Sequence, residues 1–181
     1  MAFNERKATQ AAAYLVRLRG GPMSYMKLIK LLYLADRASL LRWGRSITTD
    51  KFFSLDRGPV VSRIKDLATE GDTPGSPQVW MEHISPPSNY EVDVRQDPGR
   101  DEISDAELAI LDDVFREHGR KSRWEIVEFT HTLPEWTDPK GGAIPIEVRD
   151  ILRLSGKTEL EIKAVESDLA ELAFADFVFR Q

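Results

Sequence analysis

The sequence predicts a mostly α domain with a small β component (α+β). About six helices and an antiparallel sheet of two or three strands are expected, in one domain over residues 1–181. Three observations carry this reading. Three Ser/Thr-x-x-Glu capping boxes, Ser104–Glu107, Ser122–Glu125 and Thr158–Glu161, each open a run of helical length. Apolar residues recur at helical spacing through much of residues 4–70. Period-two alternation is confined to short runs, and no repeat or long linker divides the chain. A chain of 181 residues is long enough to bury a core.

The first helix runs from Asn4, a fitting N-cap, to Arg19, with Ala8, Ala11, Ala12, Leu15 and Leu18 as its stripe. Gly20-Gly21-Pro22 stops it. The second spans Ser24 to Trp43, with Gly44 as the left-handed residue just beyond. Its "KLIKLLYLADRASLL" is apolar around most of the circumference, which predicts a central, largely buried helix. Lys27, Lys30 and Arg37 share the one charged strip. Asp36 lies on the opposite side among Ile29, Leu32 and Leu40, where a carboxylate needs a partner. An ion pair or a cap on neighbouring backbone is the favoured role, and a catalytic acid the competing one.

Residues 45–57 read as a loop and a short strand containing Phe52, Phe53 and Leu55. In "FFSLDRGPVVSRIKDL" that strand is expected to turn through Asp56, Arg57 and Gly58 directly into a helix. Pro59 would sit in its first turn, and the helix would end at Gly71. The free N–H groups of such a corner, with Arg57 beside them, could hold an anion. Residues 72–101 read as a strand and loop insertion. There "DTPGSPQ", "SPPSN" and "QDPGRD" surround "VWMEHI" and "YEVDV", two alternating runs expected as strands. They would pair with each other or with the Lys51–Leu55 strand. Helices then follow from Ser104 to Gly119, from Ser122 to His131, within "IPIEVRDILRLSG", and from Thr158 almost to Phe179.

Composition narrows the function classes. The chain is 41% hydrophobic and 30% charged, which argues against disorder. No apolar run approaches the roughly 20 residues of a membrane span, and no secretion signal follows Met1, so cytoplasm is expected. Without cysteine there is neither a disulfide nor a thiolate zinc site. The net charge of −5 is uneven. Residues 1–70 carry 13 Lys and Arg against 6 Asp and Glu; residues 71–181 carry 12 against 24. A basic half could meet nucleic acid or an acidic protein. Its cations are spread along helices, however, which favours two halves that partly neutralise each other. GxSxG, P-loop, GxGxxG and HExxH motifs are absent. His83, His118 and His131 lack ligand spacing, and Asp112-Asp113 sits on an acidic helix face. Neither an enzyme nor a cofactor is expected.

One long stretch is more specific. Lys27, Leu28, Leu31, Leu32, Tyr33 and Asp36 are followed by Gly44, Ile47, Thr48, Asp50, Phe52, Phe53, Gly58, Pro59 and Val60. Thr130, His131 and Trp136 form a second segment. In this order they resemble the Panacea domain, also called the SocA-like antitoxin or phage-associated GepA-like domain, over roughly residues 8–140. The resemblance implies a bacterial or prophage antitoxin whose partner is a cognate protein toxin. It also implies two modes, neutralisation by direct binding or delivery of the toxin to the ClpXP protease. Under it, Lys27, Tyr33, Asp36, Gly44, Asp50, Arg57, Gly58, Pro59 and His131 are structural motif residues. A family that meets diverse toxins calls for a variable face on a constant scaffold. Trp80, Met81 and Tyr90 in the 72–101 segment, and Trp136 and Ile144 in the Trp136–Ile146 loop, are the candidate partner residues. Two rivals remain: a nucleic-acid-binding regulator using the basic half, and a hydrolase built near Asp36 and His131.

Overall fold

Helix α2 (Tyr25–Trp43) is the axis on which most of the other elements pack in the computed structural model, which describes residues 3–70 and 78–179. Its all-round apolar sequence explains this: Leu28, Ile29, Leu31, Leu32, Tyr33, Leu34 and Ala35 are all buried. α1 (Glu5–Arg19) lies against it through the buried small residues Ala8, Ala11 and Ala12. Asn4 caps α1 by accepting the N–H of Lys7 at 3.0 Å. α5 (Asp105–His118) and α6 (Arg123–His131) pack on the same axis. Both begin with the capping boxes read from the sequence, and Thr158 with Glu161 opens α8 (Glu159–Phe179) in the same way. The remaining helices are α3 (Ser62–Glu70), α4 (Val79–His83) and α7 (Val148–Leu154). The class is mostly α as expected, with eight helices among the described residues where about six were expected.

The β part consists of two antiparallel sheets. β1 (Met23–Ser24) pairs with β4 (Glu91–Val92). β2 (Phe52–Leu55) is the middle strand between β3 (Gly58–Val61) and β5 (Ile144–Ile146). Pro59 lies opposite Ser54, and Pro145 opposite Phe53. Both prolines therefore sit on edge strands, where a missing N–H is tolerated.

Three local expectations are corrected here. The chain does not run from strand to helix at Gly58-Pro59. It makes a hairpin, with Leu55 opposite Gly58, and α3 starts only at Ser62. Val60 and Val61 pair with Phe53 and Phe52, a β-branched against aromatic match that a strand uses well. Second, "VWMEH" is the one-turn helix α4, not a strand. The Trp80 N–H donates to Glu5 Oε1 at 3.0 Å, and this distant carboxylate supplies the acceptor a helix start needs. Third, of the two pairings open to the 90–94 run, the one with the preceding run is seen only at the Val94–Ile84 bridge, and Glu91–Val92 pair with Met23–Ser24 in place of β2. β2 instead takes Ile144–Ile146, which the sequence places in a helix. The expected stop at Gly71 and the loop residues 72–77 lie outside the described residues.

The uneven charge is partly cancelled within the fold. Arg6 pairs with Asp101, Lys7 with Glu107, Arg17 with Asp97 and Arg37 with Glu135, each joining the basic first 70 residues to the acidic remainder. Among the described residues no helix is long and apolar enough to cross a membrane.

Candidate functional site

Five polar residues of α2, Lys27, Lys30, Tyr33, Asp36 and Arg37, each hold the backbone or a buried acid of another segment. The Lys27 ammonium donates to the carbonyls of Gly119 at 2.5 Å and Lys121 at 2.6 Å, closing the α5–α6 turn. The Lys30 ammonium donates to the Pro59 carbonyl at 2.6 Å. Both lysines are buried, so the charged strip of the sequence faces inward. Burial lowers the pKa of each, that of Lys30 to about 7. Tyr33 donates to Glu135 Oε1 at 2.8 Å, and Arg37 Nε donates to the same oxygen at 2.6 Å. Burial, and then Glu135, hold the Tyr33 hydroxyl well above its ordinary pKa.

Asp36 turns to the opposite side, as the helical spacing requires, and is fully buried. It accepts the N–H groups of Ile47 at 2.8 Å and Thr48 at 2.9 Å, together with the Thr48 hydroxyl. These three donors fix the loop that follows α2. They favour the carboxylate, yet burial outweighs them and pushes the pKa up to about 7. Gly44 ends α2 at φ +72°. Asp50, six residues after it, caps α3 from a distance: Oδ1 accepts the Arg63 N–H at 3.1 Å and Oδ2 the Ile64 N–H at 3.0 Å. The N–H groups expected to hold an anion are thus held by a carboxylate of the chain itself.

Gly58 is the tightest point of the frame. Its φ is +91°, and a Cβ there would lie 2.6 Å from Thr130 Oγ1, 3.1 Å from Lys30 Nζ and 3.2 Å from His131 Cδ2. The His131 ring stacks on Trp136, with centroids 4.1 Å apart and planes 20° from parallel. The Trp136 indole N–H donates to the Leu55 carbonyl at 3.1 Å. Lys30, Gly58, Pro59, Thr130, His131 and Trp136 therefore meet at the hairpin, although they come from three separate parts of the sequence. Asp36 and His131 are not brought together as an acid–base pair by any hydrogen bond among the described residues. Nor do the described residues hold a group of three His, Asp or Glu that could bind a metal ion.

The candidate partner residues do not form one face. Trp80 is 1% exposed beneath α1, which removes it from any partner surface. Met81 is half-buried, and so is Trp136, whose indole is already bonded to the hairpin. Ile144 is half-exposed on β5, and Tyr90 is 61% exposed. Sequence reasoning passed over Glu135, which anchors both Tyr33 and Arg37. It also passed over Trp124, exposed on the first turn of α6 and touched by two arginines.

A family model described as "Antitoxin SocA-like, Panacea domain" matches residues 28–137. This chain belongs to that family. The match is shorter than the 8–140 of the sequence resemblance, and it leaves α1, β1, β5, α7 and α8 outside. Comparison with curated proteins and with solved structures finds no match. The matched stretch of the Panacea domain contains most of the frame just described: Lys30, Asp36, Asp50, Gly58, Thr130, His131 and Glu135, with Lys27 one residue before it.

Proposed function

We propose that this Panacea domain is the antitoxin of a bacterial or prophage toxin–antitoxin pair, and that it acts in the cytoplasm by binding a protein toxin without chemistry of its own. Membership of an antitoxin-like family supports a protein partner. The observation that carries the non-enzymatic part is the internal use of the polar motif residues. Asp36 is aimed at Ile47 and Thr48, Lys30 at the Pro59 carbonyl, and Asp50 at the start of α3. A general acid or base must reach a substrate proton, and these groups reach only the chain's own backbone and side chains. Direct occlusion and hand-over to ClpXP share the same first step, a complex between this chain and the toxin.

The test expresses the products of the genes adjoining this one, singly and together with the chain. One product should arrest growth alone, and the chain should restore growth and co-elute with it. The same rescue in a host lacking ClpXP would assign occlusion, and its loss there would assign delivery. Rescue without any complex, or no toxic neighbour, would overturn the proposal.

A further inference from the structure

We propose that the toxin docks on a surface row of cations and rings, Arg57–Trp124–Arg123–Tyr90–Tyr25, in which Arg57, Trp124 and Tyr90 are exposed and Arg123 and Tyr25 half-buried, through an acidic segment of its own surface. This inference rests on the antitoxin reading above. The row is drawn from four segments: the β2–β3 turn, the first turn of α6, the loop before β4 and the first residue of α2. The Arg57 guanidinium carbon lies 5.8 Å from the Trp124 ring centre, and that of Arg123 lies 5.3 Å from it. Arg123 is also 5.6 Å from the Tyr90 ring, and Tyr90 is 6.2 Å from Tyr25.

Core packing accounts for Tyr25, which leans on the hydrophobic core, but not for the outer residues of the row. Trp124 is 50% exposed and Tyr90 more so. Asn89 and Tyr90 both adopt positive φ, +50° and +65°. An aromatic residue in that region is strained, and here the strain holds a ring in solvent. A backbone bond from the Tyr25 N–H to the Tyr90 carbonyl at 3.1 Å fixes the loop. The arginines point the same way. Arg6, Arg17, Arg37, Arg116, Arg149 and Arg153 each have a carboxylate within 4 Å. Arg57 and Arg123 have none among the described residues, and neither do seven other arginines; what sets these two apart is that both lie over the single Trp124 ring with their donor edges left open. Trp, Tyr and Arg are the side chains that most often dominate binding energy, and pre-stacked rings and guanidiniums lose little freedom on binding. Open guanidinium edges select carboxylates, bidentately where geometry allows.

A nucleic acid is disfavoured on the same patch. Two arginines give few phosphate contacts, and nucleic-acid affinity grows with their number. Two guanidiniums already lie against the Trp124 ring on which a base would stack.

The test uses calorimetry with the purified adjoining-gene product that the chain neutralises. The variants are Trp124→Ala, the double variant Arg57→Glu with Arg123→Glu, and the single changes Arg57→Gln and Arg123→Gln. Phe174→Ala on the far end of α8 is the control, since that ring is also exposed. All are first checked for cooperative melting; the glutamine variants remove the guanidinium while staying polar, and their binding decides the question if a bolder variant misfolds. The expected result is at least a hundredfold weaker binding for the double reversal. About tenfold is expected for Trp124→Ala and for each glutamine variant, and no change for Phe174→Ala. Unchanged binding by the folded row variants would overturn the docking surface while leaving the antitoxin reading intact. So would wild-type binding of a labelled single-stranded oligonucleotide that competes with the toxin. If the wild type binds no adjoining product, the antitoxin reading has failed first and the docking surface falls with it.

Discussion

Asp36 and Lys30 lie on different sides of α2, and burial moves their pKa values to the same place, up to about 7 for the acid and down to about 7 for the amine. The consequences for stability have opposite signs. An unfolded Asp36 loses its proton near 3.8, well before the folded one, so the unfolded state binds fewer protons and stability falls as pH rises toward 7. An unfolded Lys30 keeps its proton to about 10.5 while the folded one releases it near 7, so stability rises as pH goes from 7 to 10.5. Asp50, raised by burial, and Lys27, lowered by burial, add in the same directions. Urea unfolding between pH 5.5 and 10 is expected to show a stability minimum near pH 7, shallower on its acid side because burial also lowers the pKa of His118, which adds stability as pH rises there. Asp36→Asn should flatten the acid limb, because an amide oxygen can still accept from Ile47 and Thr48. Lys30→Met should flatten the alkaline limb. A wild-type profile with its maximum near pH 7 would refute the assignment. Asp36's need for a backbone partner was legible in the sequence because a lone carboxylate falls within an apolar arc of the helix. The inward turn of Lys27 and Lys30 was not, because a cationic strip reads as solvated until the carbonyls of Pro59, Gly119 and Lys121 are known to face it.

Two elements depend on contacts that no local pattern reveals. α3 is capped by Asp50, which stands twelve residues before Ser62 on the other side of the β2–β3 hairpin. Asp50→Ala should destabilise the fold by about 1–2 kcal/mol, the usual cost of a lost N-cap, measured as a shift in the denaturation midpoint. An unchanged midpoint would show that solvent replaces the cap. The hairpin depends on Gly58, where a Cβ would press on Thr130 while the backbone stays at positive φ. Gly58→Ala should cost at least about 2 kcal/mol through strain and displaced neighbours; a loss under 0.5 kcal/mol, on the order of a surface change, would contradict the tight packing. The three capping boxes were readable because both partners lie within one turn of chain. "VWMEHI" reads as a strand because six alternating residues fit a strand and a single helical turn equally well, and Glu5 decides between them from 75 residues away.

Across the whole molecule the buried polar residues of the family stretch form a frame, and all but Tyr25 of the proposed contact row lie at the surface of that same stretch. The order of Lys27, Asp36, Asp50, Gly58 and His131 along the chain made the frame recognisable, since Lys27, Asp36 and Asp50 hold particular backbone groups while Gly58 and His131 pack at the hairpin. The row from Arg57 to Tyr25 was not recognisable, because its rings and cations come from four segments that only the fold brings side by side. Trp80 was the opposite case, a tryptophan in a Pro-rich stretch that looks exposed and is buried under α1. If the motif is architecture, variants that keep its shape must keep its function. The most direct measurement is growth rescue from the adjoining toxin by Asp36→Asn and by His131→Phe, which preserves the stack on Trp136, each verified to melt within about 4 °C of wild type, on the order of 1–2 kcal/mol for a chain of this size. The account predicts full rescue by both. Loss of rescue in a folded variant, with toxin binding intact, would show that these residues perform chemistry and would contradict it.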